Sequence, residues 1–125
     1  MKTRIGINGF GRIGRQILRV IMEQYRNDLE VVSINDGGNI ETNAHLFKYD
    51  STYGRYPGVV DYGEESIVVD GHEIAITAER EPSNIPWGDF GADIVVESTG
   101  VFTDATKAAD HIKAGTKKVI ISFPK

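Results

Sequence analysis

The sequence predicts an α/β fold: a Rossmann-type, doubly wound and mostly parallel sheet with an antiparallel hairpin insertion, truncated before its second half is complete. Three observations predict it. A strand, a glycine turn, a helix and a second strand form a βαβ unit over 3–35. Short β-branched segments follow between 56 and 77 and supply the antiparallel insertion. A further strand, helix and strand over 92–122 resume the parallel pattern.

Length and composition favour one compact domain over 1–125. The chain has no cysteine, and 40% of its residues are apolar and 26% charged, as in ordinary globular domains. Its 14 Lys+Arg against 18 Asp+Glu give a formal net charge of −4, which excludes a basic protein that coats nucleic acid. Without a long apolar run or a signal-peptide segment, we expect a cytoplasmic protein with no membrane partner.

The first βαβ unit is recognised by a change of hydrophobic period. Residues 3–8 read as a strand. From Arg12 to about Asn27 apolar residues recur four apart, which predicts a helix. Residues 30–35 are β-branched and predict the second strand. The apolar stripe of the helix comprises Ile13, Ile17, Ile21 and Tyr25.

A short helix and a hairpin are predicted in the middle of the chain. Residues 42–48 read as the helix, and Thr42 is the residue type that caps helix N-termini. Segments 67–69 and 74–76 flank Asp70-Gly71, a dipeptide favoured in tight primed turns. The sequence therefore predicts two antiparallel strands joined by a two-residue turn.

The last third of the chain contains a loop and two further strands. Residues 82–88 read as a loop bracketed by prolines that ends in Trp87-Gly88. Residues 92–97 form a buried-strand run, and 118–122 are expected to form a last strand at an open sheet edge.

The helix between these two strands is predicted from its caps. Thr103 is a suitable N-cap, and Asp104 follows it in the first turn, where the helix dipole favours negative charge. Lys113 and Gly115 mark the end of the helix. Its inward face is predicted to comprise Ala105, Ala108, Ala109 and Ile112.

A glycine motif joins the first strand to the first helix. Residues 9–14 fit the spacing G-x-G-x-x-G in the strand-to-helix context that this motif requires. In such a turn Gly9 permits the tight bend, Gly11 lets a pyrophosphate approach the backbone, and Gly14 lets the helix pack closely. Free N–H groups of the first helical turn would bind the phosphates. The alternative is a glycine-rich turn that binds no ligand.

Asp36 follows the second strand, 22 residues after Gly14. The dinucleotide fingerprint places an acidic residue about 20 residues after the glycines, where it accepts hydrogen bonds from the adenosine ribose. Such a carboxylate repels a 2′-phosphate, which favours NAD over NADP. The alternative is an Asx-type turn residue before Gly37-Gly38.

Five blocks of the chain carry a family resemblance. In order they are Arg4-Ile5-Gly6-Ile7-Asn8-Gly9-Phe10-Gly11-Arg12-Ile13-Gly14-Arg15, Ser33-Ile34-Asn35-Asp36, Leu46-Phe47-Lys48-Tyr49-Asp50-Ser51, Ala78-Glu79-Arg80 and Glu97-Ser98-Thr99-Gly100-Val101-Phe102-Thr103. They resemble the phosphorylating glyceraldehyde-3-phosphate dehydrogenases, and the likeness covers essentially the whole chain. It implies that 1–125 is an NAD(P)-binding Rossmann domain without the family's catalytic domain.

The resemblance also implies which residues surround the cofactor. The backbone of 10–13 would hold the pyrophosphate, and Asp36 the ribose. Arg80 and the turn at 98–100 would border the adenine, with Phe102 against its ring, and Ser122 would lie near the nicotinamide. The implied cofactor-binding set is Asn8, Gly9, Phe10, Gly11, Arg12, Ile13, Gly14, Asn35, Asp36, Arg80, Ser98, Thr99, Gly100, Phe102 and Ser122.

Two positions depart from the family pattern. Gly37 stands where many NAD-specific relatives carry a larger residue that covers the adenine, so NADP stays possible as the less favoured cofactor. Phe123 replaces a small residue after Ser122 and would crowd the nicotinamide end of the site.

The family's catalytic groups are missing from this sequence. The resemblance implies chemistry in which a cysteine thiolate attacks an aldehyde and hydride passes to NAD. The chain has no cysteine, so it is predicted to be inactive alone, with no catalytic residue and no metal site. His45, His72 and His111 lack the spacing of a metal site or triad and are interpreted as surface or packing residues.

Two further groups are interpreted as structural. Arg12, Arg15 and Arg19 form a basic helical face, which is interpreted as solvated, with an interaction surface for another part of the enzyme as the alternative. A set of tyrosines is interpreted as packing the extended segments; it comprises Tyr49, Tyr53, Tyr56 and Tyr62.

Three functional hypotheses follow for the chain. It is the NAD-binding domain of a glyceraldehyde-3-phosphate dehydrogenase, which binds the dinucleotide without turnover. Alternatively it is part of a related dehydrogenase for another phosphorylated aldehyde such as erythrose 4-phosphate, or an inert half-protein that associates with itself. The expected partners are therefore the dinucleotide and either the missing catalytic domain or a second copy.

Overall fold

A computed structural model of the protein describes residues 2–50, 54–99, 110–113 and 115–121. Its strands are β1 (Thr3–Asn8), β2 (Leu29–Asn35), β3 (Tyr49–Asp50), β4 (Gly54–Arg55), β5 (Val60–Tyr62), β6 (Ser66–Val69), β7 (His72–Thr77), β8 (Ile94–Glu97) and β9 (Lys118–Ile121). Its helices are α1 (Arg12–Gln24), α2 (Ile40–Lys48), α3 (Trp87–Phe90) and α4 (Asp110–Lys113), with a 3-10 turn at Pro82–Asn84. Among these described helices, none is long and apolar enough to cross a membrane.

Seven strands form one mixed sheet in the order β5-β6-β7-β2-β1-β8-β9. The pairs among β7, β2, β1, β8 and β9 are parallel, whereas β5, β6 and β7 pair antiparallel. This confirms the predicted mostly parallel sheet with an antiparallel insertion. The chain leaves β1 toward β2 and later returns to β8 on the other side of β1, so the topological switch point lies at the carboxyl ends of β1 and β8.

The two faces of the sheet carry separate apolar cores. Ile5 of β1 belongs to the larger core, where Leu18 and Ile21 bury the apolar stripe of α1. The next residue, Gly6, faces the opposite side. A Cβ at Gly6 would lie 2.5 Å from the indole ring of Trp87, which belongs to the second core. Helices therefore cover both faces, as a doubly wound fold requires.

The predicted N-cap of the second helix is wrong. α2 begins two residues earlier than predicted, and Asn39 is its cap. The side chain of Asn39 accepts a hydrogen bond of 2.9 Å from the backbone N–H of Thr42. Asparagine caps helices as well as threonine does, and here Thr42 occupies the third helical position and supplies the capped amide.

The segment predicted as a loop over 82–88 contains helical structure. A 3-10 turn over Pro82–Asn84 is followed by the four-residue helix α3, which begins at Trp87. Pro86 immediately precedes the first helical residue, where its missing N–H costs no intrahelical hydrogen bond. The prolines therefore bracket short helical turns that bury Ile85 and Trp87.

The predicted inward face of the last helix is partly wrong. Ile112 is half exposed, whereas His111 is completely buried. The phase of α4 is set by a polar contact, since the Trp87 indole N–H donates to His111 Nδ1. The predicted end is confirmed, because α4 stops at Lys113 and Gly115 has a φ of 114°. The other residues of this prediction lie outside the described residues; they are Thr103, Asp104, Ala105, Ala108 and Ala109.

Only one described tyrosine of the predicted set is buried. Tyr56 packs its ring 4.9 Å from that of Phe47 in the larger core. Tyr49 and Tyr62 are about half exposed, at 49% and 46%. The packing interpretation is therefore right for Tyr56 and wrong for those two, and Tyr53 lies outside the described residues.

The predicted hairpin turn between β6 and β7 is confirmed. Asp70 and Gly71 have φ values of 53° and 83°, as a primed turn requires. The Asp70 carboxylate accepts hydrogen bonds from the Tyr56 hydroxyl at 2.7 Å, the Arg26 guanidinium at 2.9 Å and the Val59 N–H at 2.8 Å. Partial burial raises the pKa of Asp70, but these donors outweigh it and hold that pKa below its ordinary value.

The Asp70→Asn variant is expected to lose on the order of 1 kcal/mol of stability at pH 7, because the three donors then face a neutral amide instead of an anion. The loss is no larger because solvent screens this partly exposed charge. A carboxyl whose pKa is lower in the folded state stabilises the protein above its unfolded pKa. That contribution disappears as the pH falls through the folded pKa. Urea denaturation of both proteins between pH 7 and pH 2.5 should therefore show a difference that shrinks on acidification.

Asparagine also adopts the left-handed conformation that this turn needs, so the substitution leaves the turn itself intact. Any intrinsic preference of the turn for asparagine shifts the stability difference equally at every pH. A difference that stayed constant from pH 7 to pH 2.5 would contradict the proposed role of the Asp70 charge.

Candidate functional site

The glycine motif forms a tight turn between β1 and α1. Gly9 has a φ of 95°, and a Cβ there would lie 2.7 Å from the Thr99 methyl group. A Cβ at Gly14 would lie 2.2 Å from the carbonyl oxygen of Gly9, so helix and turn touch at that point. A Cβ at Gly11 would have nothing within 4 Å. The outer glycines are therefore required by neighbouring atoms of the protein, and the middle one borders open space.

The N-terminus of α1 has no side-chain cap. Gly11 is its N-cap residue, and the first turn contains no acidic side chain. The first N–H groups of a helix lack intrahelical partners and carry the positive end of the helix dipole. Arg12 is exposed and adds a further positive charge beside them. This is the chemical environment that binds phosphate groups.

Asp36 lies beside this turn and makes three hydrogen bonds of 2.9 Å. One carboxylate oxygen accepts from the N–H of Phe10, and the other accepts from the N–H of Gly38 and the side chain of Asn43. The contact with Gly38 is the Asx turn that the sequence left open as an alternative. Asp36 thus ties the end of β2 to the glycine turn while remaining only partly buried.

Two asparagines join the ends of β1 and β2. Asn8 and Asn35 are paired in the parallel register, and the side-chain amide of Asn35 donates to Oδ1 of Asn8 at 2.9 Å. Oδ1 of Asn35 accepts from the Thr77 hydroxyl at 2.7 Å and the Glu79 N–H at 2.8 Å. These bonds fix the chain that leaves β7 just before Arg80, whose side chain is exposed.

Glu97, at the end of β8, is almost completely buried. One of its oxygens accepts from Asn8 Nδ2 at 2.8 Å and contacts His111 Nε2 at 2.6 Å. The other accepts from the N–H and the hydroxyl of Thr99. Burial raises the pKa of the Glu97 carboxyl, but the hydrogen bonds from His111, Thr99 and Asn8 outweigh burial and hold that pKa below its ordinary value.

Ser98 and Thr99 turn their hydroxyl groups toward the protein. The Ser98 hydroxyl lies 2.7 Å from the Gly9 carbonyl oxygen and 3.0 Å from that of Asn8, and that of Thr99 donates to Glu97. These two residues therefore brace the glycine turn rather than present hydroxyls to a ligand.

The basic face of α1 is only partly solvated. Arg12 is exposed, but Arg15 donates to the carbonyl oxygen of Phe10 at 3.0 Å. Arg19 donates to the carbonyl oxygen of Gly54 at 2.8 Å and pairs with Glu23 at 3.2 Å. The interpretation as a solvated face is wrong for Arg15 and Arg19, because their side chains hold the glycine turn and the β3–β4 hairpin.

The structure brings most of the predicted site residues together at the carboxyl ends of β1, β2 and β8. Phe10 contributes only its backbone there, since its ring is buried against Phe47 at 6.2 Å. Gly100, Phe102 and Ser122 lie outside the described residues, as does Phe123.

Sequence reasoning missed the partners that hold the site from behind. Asn43 contacts Asp36, and His111, which accepts from the Trp87 indole, contacts Glu97. A charged residue at the end of an apolar strand is a signal that could have pointed to Glu97. The interpretation of His111 as a packing residue is consistent with its burial, whereas His45 is exposed.

The fold and the site define a doubly wound α/β domain whose glycine turn has the features of phosphate-binding turns in dinucleotide-binding folds. The chain matches the family described as glyceraldehyde 3-phosphate dehydrogenase, NAD binding domain, over residues 3–105. It is 54% identical over 122 residues to the glyceraldehyde-3-phosphate dehydrogenase of Thermotoga maritima and 52% identical over 124 residues to that of Streptomyces coelicolor. These alignments cover 98% and 99% of the chain.

The chain therefore belongs to the glyceraldehyde-3-phosphate dehydrogenase family and carries its NAD-binding domain. The enzyme of Pseudomonas aeruginosa is also similar, at 52% identity over 125 residues. In each case the chain spans 37% of the length of the curated relative.

Proposed function

We propose that this domain binds NAD in preference to NADP, with the pyrophosphate at the start of α1 and the adenosine ribose at Asp36. One observation supports it above the others. Gly11 borders open space at the N-terminus of α1, which has no side-chain cap. The Asp36 carboxylate lies beside it and accepts from the N–H of Phe10 in the same turn. An anionic bridge fits the helix N-terminus, and hydroxyl donors fit the carboxylate.

The remaining residues are assigned roles from their positions around this crevice. The backbone of 10–13 would receive the pyrophosphate, and Arg80 with the turn at 98–100 would border the adenine. A Cβ at Gly37 would have nothing within 4 Å, so the adenine side is open, and exclusion of NADP depends on the Asp36 charge. Phe102 against the adenine and Ser122 at the nicotinamide end complete the proposed set.

The proposed activity of the whole protein is oxidation of glyceraldehyde 3-phosphate in glycolysis, in the cytoplasm. When bound, NAD supplies the hydride acceptor for this reaction. The chain of 125 residues contains no cysteine, so the nucleophile must come from elsewhere in the complete enzyme. We propose that 1–125 forms the cofactor-binding domain and does not turn over substrate alone.

An apolar groove supports association with the remainder of the enzyme. It lies between α1 and the strands β8 and β9, and three of its apolar side chains are about half exposed, namely Val20, Tyr25 and Ile120. Ile94 and Val96 line its floor. We propose that the rest of the family's chain covers this groove, and that the isolated domain associates with itself through it.

Calorimetric titration with NAD, NADP and ADP-ribose tests the proposed function. NAD should bind and raise the melting temperature by mass action. ADP-ribose should retain most of the binding, because it contains both groups that the described site would contact, and NADP should bind more weakly. No heat and no thermal shift at millimolar NAD would contradict the proposal.

The Asp36→Asn variant is expected to bind NAD about tenfold more weakly, as loss of a charge-assisted hydrogen bond predicts. It should also discriminate less against NADP, because a neutral amide no longer repels the 2′-phosphate. The ratio of the two dissociation constants is the decisive quantity, since disturbance of the Gly38 turn would weaken both cofactors alike. An unchanged ratio would contradict the ribose role of Asp36.

A further inference from the structure

The buried carboxylate of Glu97 has no part in the proposed contacts with NAD, yet it joins both sides of the crevice. It contacts Asn8 of β1 and Thr99 of the turn after β8. Thr99 in turn packs on Gly9, where an added Cβ would come within 3.0 Å of the Thr99 nitrogen. Glu97 therefore links the two turns that border the proposed pyrophosphate site, beside the bonds from Ser98 to Gly9 and Asn8.

A chain of hydrogen bonds runs from Glu97 across four strand ends. Because Asn8 donates its amide hydrogen to Glu97, its carbonyl oxygen must face Asn35 and accept from it. Asn35 then presents its own carbonyl oxygen to Thr77 and Glu79. The orientation of the Asn8 amide follows from an acceptor at Glu97. That of Asn35 is fixed also by the backbone of Glu79, whose carbonyl oxygen accepts from Asn35 Nδ2 at 2.8 Å and whose N–H donates to Asn35 Oδ1. This chain of hydrogen bonds ends one residue before Arg80.

On its other side Glu97 is held by a histidine in a fixed tautomer. The Trp87 indole lies 2.9 Å from His111 Nδ1, and an indole N–H can only donate. His111 Nδ1 is therefore unprotonated, and the ring carries its proton on Nε2, which donates to Glu97 at 2.6 Å. Both rings are fully buried, so neither can touch a ligand in the crevice.

We propose that ionised Glu97 is a positioning residue of the dinucleotide site, which holds the glycine turn and the turn at 98–99 in the arrangement that NAD requires. The inference rests on the proposed function. It adds that the shape of the crevice depends on the charge of Glu97, which does not contact the cofactor. His111 and Trp87, on the face of the sheet opposite α1, support this carboxylate.

Glutamine has nearly the same shape as glutamate but cannot replace it here. Asn8, His111 and Thr99 place four donor groups around the two carboxylate oxygens of Glu97. A carboxylate accepts from all four, whereas an amide turns its NH₂ group either toward Asn8 and His111 or toward Thr99, and in both orientations it faces at least one N–H that can only donate. The Glu97→Gln variant therefore changes the hydrogen bonding of the two turns without changing the volume of the core.

Glu97→Gln is expected to bind NAD at least about tenfold more weakly by calorimetry, under conditions in which circular dichroism shows it to be folded. The matched control is Tyr56→Phe, which removes a hydroxyl donor from the Asp70 carboxylate in the hairpin. The control should lose stability and keep the wild-type affinity for NAD. If Glu97→Gln does not fold, Thr99→Val removes one of the four donors at constant shape and should weaken NAD binding by a smaller factor of about threefold.

Amide hydrogen exchange of the ligand-free protein gives a second readout. The N–H of Thr99 bonds to Glu97, and that of Gly9 bonds to the Asn35 carbonyl oxygen, so both should exchange faster in Glu97→Gln and remain unchanged in Tyr56→Phe. A folded Glu97→Gln protein with wild-type NAD affinity would overturn the inference. Wild-type protein that bound no NAD would instead contradict the proposed function, and exchange at Gly9 and Thr99 would then decide whether Glu97 holds the two turns.

Discussion

Replacing Gly14 with alanine is expected to abolish the cooperatively folded state or to lower the free energy of unfolding by about 3 kcal/mol or more. The new methyl group would lie 2.2 Å from the Gly9 carbonyl oxygen and 3.2 Å from the Ser98 hydroxyl. Neither atom can move freely, because the Gly9 carbonyl itself accepts from Ser98. Alanine gains at most about 1 kcal/mol in helix propensity over glycine, which is too little to offset this clash.

The matched control is Gly11→Ala, three residues earlier in the same motif. Gly11 has a φ of −80°, which any residue adopts, and a methyl group there meets no protein atom within 4 Å. Its stability in urea should equal that of the wild type, whereas its NAD binding should be lost because the methyl group enters the space proposed for the pyrophosphate.

Urea denaturation of both variants and NAD titration of Gly11→Ala measure these two effects separately. A Gly14→Ala protein of wild-type stability would mean that α1 does not pack against the glycine turn. A stable Gly11→Ala protein that bound NAD normally would place the pyrophosphate elsewhere and contradict the proposed site.

The parts of the fold that the sequence predicts are those encoded over short distances. The βαβ unit follows from the helical period after Arg12 and from the β-branched residues of 30–35, and the Asp70-Gly71 turn follows from two residues. Such patterns report local geometry directly. The same is true of the glycine motif, whose steric demands arise within residues 9–14 and the adjoining strand end.

The support of the site could not be predicted in this way, because its contacts join distant parts of the chain. Asn8 and Glu97 are separated by 89 positions, and Trp87 and His111 by 24. Nothing in the local sequence of 110–113 indicates that a histidine rather than Ile112 faces inward. That choice is made by the tertiary contact with Trp87, since a buried indole needs an acceptor for its N–H group.

Trp87→Ala is expected to destabilise the domain by about 3–5 kcal/mol, the range for removing a large buried aromatic side chain. Trp87 is fully buried and fills the space over Gly6. It belongs to the smaller core, together with Ile85 and Val95. Because Gly6 has no side chain, nothing on β1 can move into the cavity. The chain contains a single tryptophan, so unfolding of this variant must be followed by circular dichroism instead of fluorescence.

Trp87→Phe separates the volume of the indole from its hydrogen bond. It fills most of the cavity but leaves Nδ1 of the buried His111 without its donor, at a cost of about 1–3 kcal/mol. That cost arises because the Nδ1 acceptor was desolvated on folding, and it should appear even if phenylalanine packs well. A Trp87→Phe protein as stable as the wild type would show that the indole N–H does not fix the tautomer of His111, and the support proposed for Glu97 from that face of the sheet would then be wrong.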